Sequence, residues 1–183
     1  MFNRKASSSE SRPDRIMETL ALEPGQKVAD IGSGGGYFSL RFAEAVGKEG
    51  KVYAVDVNPK FLEFIEKNAK ERGLDNIETV PAEEKYLSMP DNSLDRILAR
   101  NVYHHLPDRA EYFMGLKNSL KPGGEVVIVE HKGTGFFNFR RLFGHHTPKE
   151  TIIEELEEAG YRLMDDHDVL PKQFFLVFSR KGG

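Results

Sequence analysis

Three stretches of the chain hold residue types whose spacing could do chemistry. In the first, the apolar run Val28-Ala29-Asp30-Ile31 ends close to an acid and leads into Gly32-Ser33-Gly34-Gly35-Gly36-Tyr37-Phe38. Glycines 32, 34, 35 and 36 remove side chains where backbone turns tightly and something must approach it closely. An acid just before such a loop suits a ligand with a positive end better than a phosphate. In the second stretch, Asp56 closes the apolar run Lys51–Val57, where a carboxylate can accept from two ribose hydroxyls. Its plain alternative is to cap the following helix, but Asn58 already stands ready for that. The third is Arg100-Asn101-Val102-Tyr103-His104-His105-Leu106-Pro107, directly after another apolar run.

All 6 histidines lie in the second half of the chain, and His104, His105, His131, His145 and His146 fall near strand ends or in the segment after the fifth strand. Three readings stay open for them: a general base, since imidazole titrates near neutrality; metal ligands; or ordinary polar residues around a pocket mouth. Adjacent histidines seldom point at one ion and no Asp/Glu ligand pattern accompanies them, so no metal is expected. His105 and His146 are the candidates for catalysis.

A dinucleotide fingerprint, G-x-G-x-x-G, would need glycine where this chain has Tyr37. Asp30-x-Gly32-x-Gly34-x-Gly36 resembles instead the first motif of class I S-adenosylmethionine-dependent methyltransferases. The resemblance implies S-adenosyl-L-methionine as cofactor and S-adenosyl-L-homocysteine as its product. It implies that Asp30 binds the ammonium of the methionine end, directly or through a water. Gly32, Ser33, Gly34 and Gly36 would pass beneath that end, with Tyr37 and Phe38 beside it. Asp56 would take the ribose and Val57 the underside of adenine. Ala82-Glu83 resembles the site of the exocyclic amine, although Glu83 reads equally as a solvated glutamate. After the fourth strand this family lines the space between cofactor and substrate, which implies Asn101 as a cofactor contact and Tyr103 and His104 on the substrate side. The branch that methylates amines of bases or glutamine has Asn-Pro-Pro-Tyr there, whereas Asn101-Val102-Tyr103 lacks the prolines. His104-His105-Leu106-Pro107 is similar to the small-molecule, ubiquinone/menaquinone-biosynthesis-like "type 11" group.

The elements that must position these residues alternate. Hydrophobic spacing predicts helices over 12–20, 37–46, 59–72 and 108–120, and strands over 27–31, 51–57, 76–80, 94–100 and 126–130. Pro59 follows a capping Asn58, and Glu63–Lys67 and Glu66–Lys70 are spaced to pair on one helix face. Thr147-Pro148-Lys149-Glu150 reads as a capping box with proline first, opening a helix that ends at Gly160. Strands over 161–170 and 174–179 share a tight link and must pair antiparallel. The fold class expected is α/β: a Rossmann-like, seven-stranded, mostly parallel sheet with helices on both faces and an antiparallel C-terminal hairpin. Asp30, Asp56, Asn101 and Glu130 then fall at C-terminal strand ends, where such sheets bind ligands.

Between the fifth strand and the capping box, residues 131–148 form a segment of different composition. It holds Phe136, Phe137, Phe139 and Phe143 with Lys132, Arg140 and Arg141, and no acid. Arginines among aromatics suit an acidic or planar acceptor, or a greasy tail with an anionic head. A loop that folds its phenylalanines inward and leaves its arginines solvated fits equally well. His131, Arg140, Arg141 and His145 are the substrate-side candidates here.

At 183 residues the chain fits a single domain, with residues 1–10 as a mobile arm. A net charge of -3 gives no reason to expect nucleic acid. The absence of cysteine excludes disulfides and thiol mechanisms, including the arsenic branch of the methyltransferases. No run is apolar enough to span a membrane, and the first residues do not begin a signal peptide, so a cytoplasmic protein is expected. The expected function is methyl transfer to a small-molecule acceptor, with the oligomeric state open. Two other classes are a non-catalytic cofactor-binding partner subunit and a nicotinamide-dependent oxidoreductase, the latter opposed by Tyr37 and Asp30.

Overall fold

The structure, a computed structural model, describes residues 3, 8, 11–82, 89–132 and 147–182. Backbone contacts divide the chain into two compact units, Met1–Ala82 and Glu83–Gly183.

In the first unit the elements run α1 (Pro13–Leu20), β1 (Lys27–Ile31), α2 (Tyr37–Val46), β2 (Lys51–Asp56), α3 (Pro59–Arg72) and β3 (Ile77–Pro81). The strands pair in parallel in the order β3-β2-β1. β1 and β2 are near-continuous apolar runs because both of their faces are covered, whereas β3, at the end of that order, keeps every side chain partly in water. Helix α2 packs on β1 and β2 through Phe38, Phe42, Ala43 and Val46, and α3 on β2 and β3 through Leu62, Ile65 and Ala69. Burying each of these large side chains contributes roughly 1.5–3 kcal/mol. The ends of α3 form as the sequence predicts. Asn58 Oδ1 accepts from the Lys60 N–H at 3.0 Å, Pro59 follows, and Gly73 closes the helix at φ 66° with its N–H on the Ala69 and Lys70 carbonyls. The side-chain pairs on α3 differ from expectation. Glu66 bonds the Thr79 hydroxyl of β3, and Lys67 lies 3.9 Å from Glu71.

The second unit contains β4 (Leu94–Arg100), a 3-10 turn at Tyr103–His105, α4 (Arg109–Leu116), β5 (Leu120–His131), α5 (Lys149–Glu158), β6 (Tyr161–Asp166) and β7 (Gln173–Arg180). Its strand order is β4-β5-β7-β6, with β4 and β5 parallel and both pairings of β7 antiparallel. The chain therefore carries seven strands of mixed direction, with the antiparallel pairs confined to the C-terminal strands.

Three boundaries depart from the sequence reading. The helix expected to reach residue 120 tightens into a 3-10 turn at Lys117–Ser119, and β5 starts at Leu120, taking the Lys121–Gly124 turn in as an irregularity. The register jumps there from Leu94↔Leu120 to Arg96↔Glu125. The capping box does not form as expected. Pro148 is itself the N-cap of α5 and makes no side-chain capping bond, while Thr147 is buried. β6 ends at Asp166, four residues before the expected end at Leu170. Among the described residues no helix is long and apolar enough to cross a membrane.

Candidate functional site

The glycine loop is built by backbone bonds to the neighbouring strand. Gly32 and Ser33 both donate to the Val55 carbonyl, at 2.9 and 3.0 Å, and the Gly36 N–H closes a turn on the Ser33 carbonyl. Gly36 is the N-cap of α2 at φ 72°, and a Cβ there would lie 2.4 Å from Ile65 Cγ1. Glycine is thus required twice over, by conformation and by the close approach of α3. Gly34, at φ 54°, faces open space instead.

Asp56 fixes the other wall. Its Oδ2 accepts from the Gly34 N–H at 2.9 Å and its Oδ1 from the Asn58 N–H at 2.9 Å. The carboxylate thereby ties the end of β2 to the tip of the loop and still has lone pairs for two further donors. Asp30 is 4 % exposed, and its Oδ2 accepts from Ser39 Oγ of α2 at 2.6 Å. The Ser33 hydroxyl oxygen is buried and finds no protein partner among the described residues. Beside them Val57 is 63 % exposed, an unusual position for valine and suited to an apolar ring lying on it. The Ala82 N–H bonds the Asp56 carbonyl at 3.1 Å. Tyr37 and Phe38 open α2 in an edge-on ring pair, and the Arg41 guanidinium lies over Tyr37. Asn3 reaches the loop, its amide donating to the Gly35 carbonyl at 2.9 Å.

The first unit thus brings together Asp30, Gly32, Ser33, Gly34, Gly36, Tyr37, Phe38, Asp56, Val57 and Ala82. An S-adenosylmethionine molecule fits the chemistry of this set. The buried Ser33 oxygen offers a hydrogen-bonding group, the space above Gly34 is open, and Asp56 can accept from two hydroxyls. Glu83, Arg140, Arg141, His145 and His146 lie outside the described residues.

The second unit contains another arrangement at its strand ends. Asn101, one residue beyond β4, adopts φ 53°, a left-handed conformation that asparagine tolerates better than most residues. Its N–H bonds the Val129 carbonyl, and its Oδ1 accepts from the buried Gln173 amide at 2.7 Å. Glu130, with no exposed surface, accepts from the His131 N–H at 2.9 Å and meets His104 Nδ1 at 2.9 Å. Burial alone would raise the Glu130 carboxyl, but the His104 ring and the His131 amide outweigh it and hold it below the usual carboxylate range. The His104 and His105 rings lie 4.1 Å apart, with His105 exposed.

Tyr103 belongs elsewhere. It is fully buried, its hydroxyl donates to Glu155 at 2.7 Å, and its ring stacks on Phe113. Arg109 grips the same carboxylate with two bonds, at 2.7 and 2.6 Å. These three residues join the 3-10 turn and α4 to α5 and make Tyr103 a packing residue rather than one presented to a substrate. Desolvation pushes the Glu155 carboxyl up, but bonds from Arg109 and Tyr103 bring it below its ordinary value.

Sequence reasoning placed Glu130 at a strand end without giving it a role, and it missed Gln173 and Glu155. Glu130 carried one signal, an acid closing an apolar run as Asp30 and Asp56 do. Gln173 and Glu155 carried none, because their partners lie 72 and 52 positions away in the chain. Among the described residues no group of three or more His, Asp or Glu is placed to hold a metal ion.

A family model described as a methyltransferase domain matches residues 22–170. The demethylmenaquinone methyltransferase of Geobacillus stearothermophilus is 32 % identical over 128 residues, covering 70 % of this chain and 55 % of that protein. The ubiquinone/menaquinone biosynthesis C-methyltransferase UbiE of Shewanella frigidimarina is 26 % identical over 162 residues, covering 88 % of this chain and 57 % of that one. The chain thus spans a little over half the length of these relatives. Among solved structures, a SAM-dependent methyltransferase from Aquifex aeolicus superposes with a TM-score of 0.82 at 26 % identity, covering 91 % of this chain and 88 % of the other. With its glycine loop and the match of residues 22–170 to that family model, the chain belongs to the methyltransferase domain family and has its Rossmann-like fold.

Proposed function

We propose that this chain binds S-adenosylmethionine in its first unit and methylates a small-molecule acceptor of the quinol type. The observation that carries the cofactor half is the Asp56–Gly34 bond, which holds a buried acceptor group beside a glycine-rich loop that is open at Gly34. When bound, the cofactor supplies a methyl group already activated by its positive sulfur. The protein's own residues bind and orient. Asp56 accepts the ribose hydroxyls, Val57 lies against adenine, and Ser33 and Asp30 meet the methionine end.

The acceptor half draws on two of the relatives, a demethylmenaquinone methyltransferase and a ubiquinone/menaquinone biosynthesis C-methyltransferase. A planar quinol with a greasy tail matches the aromatic and basic composition of residues 131–148, with Arg140, Arg141, His131 and His145 on the substrate side. Residues 1–183 act as one methyltransferase domain in this reading, in a cytoplasmic setting.

Calorimetric titration with S-adenosylmethionine, S-adenosylhomocysteine and NAD tests the cofactor half, with Asp56→Ala as control. Micromolar binding of the two sulfur nucleosides, lost in the variant, is expected. Binding of NAD alone would overturn the reading. Turnover of a chemically reduced, short-tailed demethylmenaquinone, followed by mass spectrometry for one added methyl, tests the acceptor half.

A further inference from the structure

The methionine end of S-adenosylmethionine carries two charges, an ammonium and a carboxylate, and the glycine loop answers only the first. Asp30 precedes the loop, Asp56 holds its tip, and residues 32–38 contain no basic side chain. A carboxylate placed among acids is repelled unless a cation stands close to it. Helix α2 opens directly after the loop and has one basic residue, Arg41. Helical side chains lean towards the N-terminus and cover the turn before their own Cα. Arg41 does so: its guanidinium lies over the ring of Tyr37, one turn earlier and next to Gly36, with Cζ 5.8 Å from the ring centroid. Nη1 stands 3.4 Å from the Tyr37 hydroxyl, and Nη2 donates to Asp14 Oδ1 in the first turn of α1 at 2.7 Å. These contacts use two of the five N–H donors of a guanidinium. The two partners of the ion pair differ in exposure, 27 % for Arg41 and 80 % for Asp14. A pair so open to water contributes little, so another carboxylate can take the place of Asp14 at little cost.

We infer that Arg41 binds the carboxylate of the cofactor's methionine end, with Tyr37 as the ring that holds the guanidinium and Asp14 as the resting carboxylate that the cofactor displaces. The inference rests on the S-adenosylmethionine binding proposed above and adds to it the residue that separates an amino-acid end from a plain adenosine thioether. The planar guanidinium can give a carboxylate two parallel N–H bonds, which the ammonium of a lysine cannot. Asp30 at the ammonium and Arg41 at the carboxylate then read both charges of a zwitterion, within the first unit. A nucleoside without the amino acid engages neither.

Calorimetry on the full chain tests this with two probes. One is S-adenosylhomocysteine; the other is 5′-methylthioadenosine, which keeps the adenosine and the sulfur but has a methyl group in place of the amino acid. Arg41→Gln should weaken S-adenosylhomocysteine roughly 10- to 100-fold and leave methylthioadenosine within about twofold of wild type. Unchanged binding of the second probe also shows that the variant's loop is folded. Arg41→Lys keeps the charge without the paired donors and should fall between wild type and Arg41→Gln. Asp14→Asn removes the competing carboxylate, so S-adenosylhomocysteine should bind as in the wild type or up to about fivefold tighter. Equal losses for both probes in Arg41→Gln would make Arg41 a structural residue and overturn the inference. So would an Asp14→Asn variant as weak as Arg41→Gln, because the effect would then belong to the ion pair between α1 and α2. Should the wild type bind S-adenosylhomocysteine and Arg41→Gln bind it equally well, this inference alone fails. A wild type that binds neither probe would end the cofactor reading and this inference with it.

Discussion

Asp56 at the end of β2 is held by two backbone N–H groups, whereas Glu130 at the end of β5 is held by one backbone N–H and one histidine ring. Both acids close apolar strands, and both are buried, at 9 % and 0 % exposure. Their partners separate them. Two backbone amides hold Asp56 in one geometry, as the proposed contact with sugar hydroxyls requires. Glu130 instead relies on a side chain for one of its bonds, the ring of His104. Two similar strand endings are therefore satisfied differently, by main chain alone in one unit and by main chain and an imidazole in the other.

The comparison breaks most readily at the loop. Gly36→Ala puts a methyl group 2.4 Å from Ile65 Cγ1 in a left-handed backbone. Because Ile65 is fully buried and branched, it has little room to yield, and the variant should lose about 3 kcal/mol in urea unfolding. Adding Ile65→Ala should recover part of the loss, seen as non-additivity in a double-mutant cycle. Gly34→Ala meets no atom and should cost only about 1 kcal/mol. Equal losses for the two glycines would mean that the close approach of α3 is not what demands Gly36.

Next in size is Asp56→Ala. It removes the acceptor for two backbone N–H groups and for the proposed ribose contact, and should weaken S-adenosylhomocysteine about 100-fold in calorimetry, the equivalent of about 2.7 kcal/mol. Glu130→Gln should leave that affinity alone. Loss of binding in both variants would erase the distinction between the two strand ends.

Acid titration sharpens it further. Glu130 and Glu155 both sit below the ordinary carboxylate range in the folded chain. Between the folded and ordinary values the unfolded chain binds more protons, so stability rises with pH across that window. Their contribution is complete above the ordinary value and is lost as pH falls through the folded one. Thermal midpoints measured from neutral pH into the acid range should therefore flatten in Glu155→Gln. That variant should keep its affinity for S-adenosylhomocysteine, because the Tyr103–Glu155–Arg109 group joins elements of the second unit. The smallest effect belongs to Val57→Ser: at 63 % exposure its stability should stay within about 0.5 kcal/mol of wild type. Its affinity for the nucleoside should fall several-fold, and unchanged affinity would remove Val57 from the adenine site.

Most of the strands, both ends of α3 and the glycine loop were legible in the sequence. Each depends on neighbours a few positions apart: alternation of apolar runs, a capping Asn58 before Pro59, and glycine where φ is positive at 36 and 73. The resemblance of Asp30-x-Gly32-x-Gly34-x-Gly36 to one family's first motif was local in the same way. Tertiary structure alone decided which side chains work together. His104 and His105 are adjacent and identical in type, and nothing near them in the chain says which one meets Glu130, 26 residues further on. Tyr103, expected on the substrate side, was drawn into the core by Glu155 and Arg109. Helix and strand propensities act over one or two turns of chain, whereas a buried acid chooses its partner by where the folded backbone brings a donor within about 3 Å.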